Sequence, residues 1–182
     1  MNETVLLLGA SGSMGFEAFK ELWRRRRESQ GKDYHIVLLL RPSNKNKELF
    51  MPYEAECGIV SIPGSGVVEG EGLKILWGDA TIYDDILRAV RGVDWILCPM
   101  AFISPAADHD PETSKDVNTT AIKYIIRAIY EVGGEDRIKF IYIGSVAETG
   151  DRLPEIHMGR VGDPLKPSVF DFYATTKIAG ER

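Results

Sequence analysis

The stretch that decides the fold of this chain is Leu8-Gly9-Ala10-Ser11-Gly12-Ser13-Met14-Gly15. It follows the apolar residues 5–8 and precedes residues 16–28, whose apolar side chains recur at helical spacing. Backbone N–H groups without obstructing side chains bind phosphate at the N-terminus of a helix, where the helix dipole is positive. We therefore predict a strand, a pyrophosphate-binding turn and a helix. The alternative is a turn that is rich in glycine only because it is tight.

Each glycine of this turn has its own expected role. Gly9 would permit the tight turn, Gly12 the close approach of a pyrophosphate, and Gly15 the contact between helix and strand. The backbone amides of Ser13 and Met14 are the expected phosphate donors, and serine hydroxyls can add hydrogen bonds. The predicted phosphate site consists of Gly9, Ser11, Gly12, Ser13, Met14 and Gly15.

Outward from the turn, short runs of Val, Ile and Leu alternate with helix-like stretches. The predicted strands are residues 5–8, 35–40, 73–77, 95–98 and 139–143. Further helices are predicted after a capping box at Thr81 and Asp84, and from Asp110-Pro111-Glu112 to Gly133. This alternation predicts an α/β fold with a doubly wound parallel sheet.

Residues 45–72 do not fit the alternation. They contain several glycines, Pro52 and Pro63, and acidic side chains at Glu69 and Glu71. We therefore predict an irregular insertion there, within a single nucleotide-binding domain that covers residues 1–182.

Composition and charge argue against several classes of protein. The chain has 182 residues, a formal net charge of −5 and 44% hydrophobic residues, as expected of a folded domain with no electrostatic preference for nucleic acid or membranes. Two cysteines, no signal-peptide pattern and no apolar run near the roughly 20 residues of a bilayer span indicate a cytoplasmic protein. No metal site is expected, because no cysteine or carboxylate stands at a metal-ligand interval from His35, His109 or His157.

The glycine spacing resembles that of one particular superfamily. The pattern is G-x-x-G-x-x-G instead of the G-x-G-x-x-G of most dinucleotide dehydrogenases. It resembles the short-chain dehydrogenase/reductase superfamily, and its serine-containing form resembles the extended branch, the NAD-dependent epimerase/dehydratase family. The resemblance implies a Rossmann-type fold, a nicotinamide dinucleotide cofactor and a small-molecule substrate.

The segments that follow the second and third strands would bind the adenosine part of the cofactor. The second strand ends at Arg41, where an acid would otherwise accept from the ribose hydroxyls. A guanidinium suits a 2′-phosphate, which favours NADP over NAD. The alternative is an arginine that lies over the adenine ring and allows either cofactor. Gly78-Asp79-Ala80 resembles the family's Gly-Asp pair, whose carboxylate accepts from the adenine amino group.

Two later segments also resemble the family's cofactor site. Met100 and Ala101 occupy the place of the small-residue segment beside the ribose, although Pro99 and Met100 depart from the common pattern. Asn118 matches a helix asparagine that would brace the active-site loops. An ordinary helix residue is an equally good interpretation of Asn118.

The catalytic residues implied by the resemblance are Ser145, Tyr173 and Lys177. Tyr173 and Lys177 are four residues apart and share one face of a helix, where a lysine charge favours the phenolate form of a tyrosine. Tyr173 would exchange a proton with a substrate hydroxyl or carbonyl during hydride transfer. Ser145 would hydrogen-bond the same oxygen, and Tyr173 and Lys177 would also contact the cofactor. The alternative is that Tyr173 and Lys177 are surface helix residues.

These motifs imply an NAD(P)-dependent oxidoreductase or epimerase for a nucleotide sugar or a related substrate. Val146-Ala147 stand where sugar dehydratases carry an Asp-Glu pair, which disfavours dehydration.

Only five residues follow Lys177. We therefore expect the amino-terminal cofactor half of a longer enzyme, with a sheet incomplete at its carboxyl-terminal side and no substrate domain. The alternative function is a cofactor-binding sensor or regulatory module without turnover. Extended members usually dimerise, so the resemblance is compatible with a homodimer, and the association state is left open.

Overall fold

The computed structural model describes residues 3–30, 34–61, 66–150, 162, 164–168 and 170–182. Its residues form two compact units, which are described separately. The first unit consists of Met1–Met100 and Tyr124–Tyr142, and the second of Ala101–Lys123 and Ile143–Arg182. The sequence analysis predicted one domain and no such division.

The first unit contains a seven-stranded sheet. Its strands are β1 (Glu3–Leu8), β2 (Tyr34–Leu40), β3 (Val60–Ser61), β4 (Val67–Gly70), β5 (Leu73–Trp77), β6 (Trp95–Cys98) and β7 (Lys139–Tyr142). The order is β3-β4-β5-β2-β1-β6-β7. Neighbouring strands in the part of the sheet formed by β5, β2, β1, β6 and β7 are parallel. The pairs β3–β4 and β4–β5 are antiparallel. The predicted doubly wound sheet is confirmed, and all five predicted strands lie within two residues of their expected bounds.

The order of the strands explains the importance of the glycine turn. From β1 the chain proceeds to β2 and β5 on one side of the sheet, and then to β6 and β7 on the other. Such a reversal is a topological switch point, and ligands of open α/β sheets bind at the carboxyl ends of the strands there. The turn that follows Leu8 lies at this position.

The irregular insertion predicted at residues 45–72 was wrong for the described residues 45–61 and 66–72, which form mostly regular elements, while residues 62–65 lie outside the described part of the chain. Helix α1 (Ser13–Glu28) is followed after β2 by helix α2 (Asn44–Glu56), and then by the hairpin of β3 and β4. Pro52 lies inside α2 and argues against a helix, at a cost of about 3 kcal/mol. Burial outweighs this cost, because the Phe50 and Tyr53 rings contact Phe19 of α1 at centroid distances of 5.1 and 4.7 Å.

Helix α3 (Tyr83–Val90) also belongs to the first unit. Helix α6 (Ala121–Glu131) begins in the second unit, and its residues from Tyr124 onward belong to the first. The second unit also contains α4 (Ala106–His109), α5 (Pro111–Lys115), the π-helical segment Asp116–Thr120, a 3₁₀ turn at Val146–Thr149 and α7 (Phe172–Glu181). The helix start predicted at Asp110 is confirmed, since its carboxylate accepts from the Thr113 N–H at 3.1 Å. Among the described residues, no helix has both the length and the apolar character of a membrane span.

The aromatic contact between α1 and α2 can be tested by truncation. Phe50 is fully buried, so Phe50→Ala should lower the free energy of unfolding by about 3–5 kcal/mol. Met51 is the neighbouring residue and is 61% exposed, so Met51→Ala should change it by less than about 0.5 kcal/mol. Urea denaturation followed by circular dichroism measures both values. Equal effects of the two variants would contradict the packing of α2.

Candidate functional site

In the first unit, the glycine turn is built by close contact between backbone segments. Gly9 has a φ of +85°, and a Cβ there would lie 2.7 Å from the Met100 Cα that follows β6. A Cβ at Gly15, in the first turn of α1, would overlap the Gly9 carbonyl. The Gly12 N–H donates to the Gly9 carbonyl at 3.0 Å and closes the turn. Gly9 and Gly15 are therefore required by the fold itself.

Gly12 is different, because the fold does not require a glycine there. Gly12 is the N-cap of α1 with a φ of −80°, which any residue adopts, and it is exposed. Among the described residues, a Cβ there would meet only the Gly9 carbonyl oxygen, at 3.4 Å. The helix start has no side-chain cap and no acid in its first turn, and Ser13 and Met14 are exposed. This open, uncapped N-terminus suits an approaching anion.

The strand ends that flank the turn place Arg41 and Asp79 on neighbouring strands. The Gly78 N–H donates to the Leu40 carbonyl at 2.9 Å and links the end of β5 to the end of β2. Arg41 is exposed, and its carbonyl accepts from the Asn46 side chain at 2.8 Å. The backbone at Arg41 is therefore held by a hydrogen bond from α2, while its guanidinium is exposed.

Asp79 is held in a local turn. Its Oδ1 accepts from the Thr81 N–H at 2.9 Å and from the Thr81 hydroxyl at 2.8 Å, while its own N–H donates to Asp85 at 2.8 Å. The capping box predicted at Thr81 and Asp84 was therefore wrong, and α3 begins at Tyr83 without a side-chain cap. Within the described parts of the chain, Oδ2 of Asp79 makes no hydrogen bond. Ala80 is half-buried beside it.

In the second unit, Asn118 is fully buried and braces a loop against a helix. Its side-chain oxygen accepts from the Phe102 N–H at 2.8 Å, and its amide donates to the Phe102 carbonyl at 2.9 Å. The amide also lies within hydrogen-bond distance of the Ser114 and Thr176 hydroxyls, at 3.2 and 3.0 Å. Asn118 thus joins the loop that contains Ala101 to α7. Its role in cofactor binding stays a prediction.

Ser145 is the N-cap of the 3₁₀ turn. Its Oγ accepts from the Ala147 N–H at 3.2 Å, and its own N–H donates to Oε1 of Glu148 at 2.7 Å. Because the cap uses Oγ as an acceptor, the hydroxyl proton can be donated to a substrate oxygen. The cap also fixes the position of this half-buried side chain.

Lys177 is buried, which excludes the surface alternative for this residue. Only 1% of Lys177 is exposed, and its Nζ donates to the Ile143 carbonyl at 2.6 Å. Ile143 lies two residues before Ser145, so Lys177 ties α7 to the Ser145 turn. Tyr173 is half-buried four residues earlier, near the start of α7, which Asp171 caps through the Ala174 N–H at 2.9 Å.

The sequence analysis missed Glu148. This glutamate is 3% exposed, and burial together with a hydrogen bond to Glu181 raises its pKa. The available signal was the Ser-x-x-Glu spacing of a capping box at Ser145 and Glu148, which the structure shows formed in both directions.

The described residues contain no group of side chains able to hold a metal ion, and His157 lies outside them. The first unit thus carries the predicted phosphate site, Arg41, Asp79, Ala80 and Met100. The second unit carries Ala101, Asn118, Ser145, Tyr173 and Lys177.

A doubly wound sheet with a glycine turn at its switch point defines the class of Rossmann-type nucleotide-binding folds. Solved structures share this fold. The UDP-Glc/GlcNAc 4-epimerase of Campylobacter jejuni is 18% identical with a TM-score of 0.75, over 99% of this chain and 47% of that one. The UDP-N-acetylglucosamine 4-epimerase of Methanobrevibacter ruminantium, solved with UDP-N-acetylmuramic acid, is 18% identical with a TM-score of 0.70, over 99% and 48%.

A short-chain dehydrogenase/reductase superfamily protein of Agrobacterium tumefaciens, solved with bound NAD, also matches. It is 23% identical with a TM-score of 0.63, over 98% of this chain and 43% of that chain. No protein-family model and no curated protein matches the sequence. The predicted Rossmann-type fold is therefore confirmed, and the chain spans about half the length of the solved structures that it matches.

The bracing role of Asn118 can be tested by an isosteric change. In Asn118→Asp, a carboxylate oxygen would replace the amide that faces the Phe102 carbonyl and two hydroxyls. The new carboxylate oxygen would face the Phe102 carbonyl with no proton between them, and this buried, poorly paired charge should lower the free energy of unfolding by at least about 3 kcal/mol. Asp116→Asn, an exposed change in the same π-helical segment, is the control and should be near neutral. Chemical denaturation of both variants measures the difference.

Proposed function

We propose that this chain binds NAD or NADP through its glycine turn, as a member of the extended short-chain dehydrogenase/reductase family. The observation that carries the proposal is Gly12. The fold requires glycine at positions 9 and 15. At position 12 there is room for a side chain, and the helix that begins there has no side-chain cap. A glycine there is explained by a ligand whose phosphate approaches the backbone.

The proposed reaction is an oxidation, reduction or epimerisation at a hydroxyl-bearing carbon of a nucleotide sugar or a related substrate. It is supported by the order of the motifs, and by a fold shared with epimerases that are named for UDP sugars. A bound nicotinamide ring would supply hydride transfer. The second unit would supply proton transfer and orientation.

The contacts of the second unit suggest how its residues would divide this work. Ser145 would donate its hydroxyl proton in a hydrogen bond to the reacting oxygen, because its own Oγ is fixed by the Ala147 N–H. Tyr173 would exchange a proton with that oxygen. The buried ammonium of Lys177 would hold the Ser145 turn against α7 through its bond to the Ile143 carbonyl.

NADP is the proposed preferred cofactor. No acid stands at the end of β2, where it would repel a 2′-phosphate, and the exposed guanidinium of Arg41 is available for a charge-assisted contact. The solved structure from Agrobacterium tumefaciens contains NAD, so the proposal distinguishes this chain from that protein.

Gly12→Ala separates ligand binding from folding. The added methyl group should change the free energy of unfolding by less than about 1 kcal/mol, yet obstruct the phosphate and weaken cofactor binding at least about tenfold. Calorimetry with NAD and NADP measures binding, and Met51→Ala serves as the surface control. Binding unchanged by Gly12→Ala would contradict the phosphate site. No heat with either cofactor for the parent chain would contradict the proposed function.

Arg41→Ala tests the preference between the cofactors. Loss of a charge-assisted contact of about 1.5–3 kcal/mol should weaken NADP binding about tenfold or more and leave NAD binding nearly unchanged. The same calorimetric titrations measure both, with Lys47→Ala, an exposed cation on α2, as the matched control. Tighter binding of NAD than of NADP by the parent chain would contradict the preference.

A further inference from the structure

A groove lies between the second half of α1 and α2, at the surface of the first unit. It encloses a cavity of about 540 Å³, a size that accommodates a small organic molecule. The residues that carry the argument below come from both helices and are Trp23, Arg27, Pro52, Tyr53 and Glu56. Helix α1 begins at Ser13, and Lys20 is the lining residue nearest to that end. The groove therefore lies about 10 Å or more along the helix from the predicted phosphate site.

One wall of the groove is a row of cations. Lys20, Arg24 and Arg27 are four and three residues apart and share one face of α1. Lys20 and Arg24 form ion pairs with carboxylates of α1 itself, at 2.5–2.8 Å. Among the described residues, the closest carboxylate oxygen to Arg27 is that of Glu56, at 4.0 Å, which is beyond hydrogen-bond distance. The Arg27 guanidinium therefore keeps its donors for an anion from outside the chain.

The other wall offers apolar surface. The half-buried Tyr53 ring stands at 85° to the Trp23 ring, with a centroid distance of 5.7 Å. Trp23 is 5% exposed, and its indole N–H donates to Oε2 of Glu56 at 3.3 Å. The polar atom of the indole thus has its partner within the chain. Tyr53 and the exposed Pro52 supply the apolar contact for a ligand.

Pro52 is unfavourable for the helix that contains it. It has no N–H to donate to the carbonyl of Glu48, four residues earlier, and its ring crowds that carbonyl. The contacts of Phe50 and Tyr53 explain why α2 forms in spite of Pro52, but they do not explain a proline at this exposed position. A residue that weakens its own helix is expected where it serves a site. A rigid apolar ring on the wall of a groove has such a use.

We propose that this groove is a second ligand site, for a small molecule that joins a flat aromatic ring to an acidic group. The ring would lie on Pro52 and Tyr53, and the acidic group would accept from Arg27. Three cations against two carboxylates line the groove, although the whole chain has a formal net charge of −5. This local excess of positive charge favours an anion over a cation. The site does not rest on the proposed function.

Naphthalenesulfonate is a suitable probe, because it consists of a flat ring system and one acidic group. The chain has three tryptophans that report where the probe binds. Trp23 lines the groove, Trp77 directly precedes the Gly78-Asp79 pair of the predicted cofactor site, and Trp95 begins β6. In an NMR titration, the indole N–H signal of Trp23 should shift, while the other two stay in place. Naphthalenemethanol, which lacks the charge, should bind at least about fivefold more weakly.

Variants separate binding from folding. Arg27→Gln should weaken probe binding at least about fivefold. Arg25→Gln is the matched control and should change it less than about twofold, because Arg25 is an exposed cation of α1 that does not line the groove. Pro52→Ala should raise the melting temperature, since alanine restores the missing N–H, yet weaken probe binding about threefold.

Four results would overturn the proposal. One is no shift of the Trp23 signal at about 5 mM probe, and another is parent-like binding by Arg27→Gln or Pro52→Ala. The others are a shift of Trp77 in place of Trp23 and displacement of the probe by NAD or NADP, because either assigns the probe to the cofactor site. The titrations need no cofactor, so failure of the proposed function would leave their outcome unaffected.

Discussion

The constraint on which the first unit depends is the direct contact of backbone with backbone around Gly9. The end of β1, Met100 after β6 and the first turn of α1 meet there at distances that exclude a Cβ on Gly9 or Gly15. These glycines allow α1 to begin against the switch point of the sheet, where its uncapped N–H groups are presented. The exposed, uncapped N-terminus of α1 is thus a consequence of how the strands and the helix are joined.

The second unit is organised by polar contacts instead. Asn118 and Thr119 contact Thr176 of α7, and Lys177 of the same helix donates to the Ile143 carbonyl. Buried polar groups of this kind specify one arrangement, because any other leaves donors or acceptors without partners. The Ser145 turn and α7 are therefore held in one arrangement by hydrogen bonds.

Much of the first unit could be predicted from sequence. Strands buried on both faces appear as continuous aliphatic runs, and the glycine turn is recognisable because a strand precedes it and a helix follows it. Helix α2 was missed because local rules weigh Pro52 heavily, whereas the contacts of Phe50 and Tyr53 with Phe19 are distant in sequence. Glu148 was missed for a similar reason. A glutamate in a loop is ordinarily exposed, and only the fold shows that Glu181 lies beside it.

The burial of Lys177 has a consequence for chemical labelling. Among the described residues it is the only lysine in the buried class, while lysines such as Lys20 and Lys123 are exposed. An acylating reagent would therefore modify the surface amines first, and would reach Lys177 only when α7 separates from the Ile143 carbonyl. The rate of acylation at this one amine reports how often the second unit opens locally.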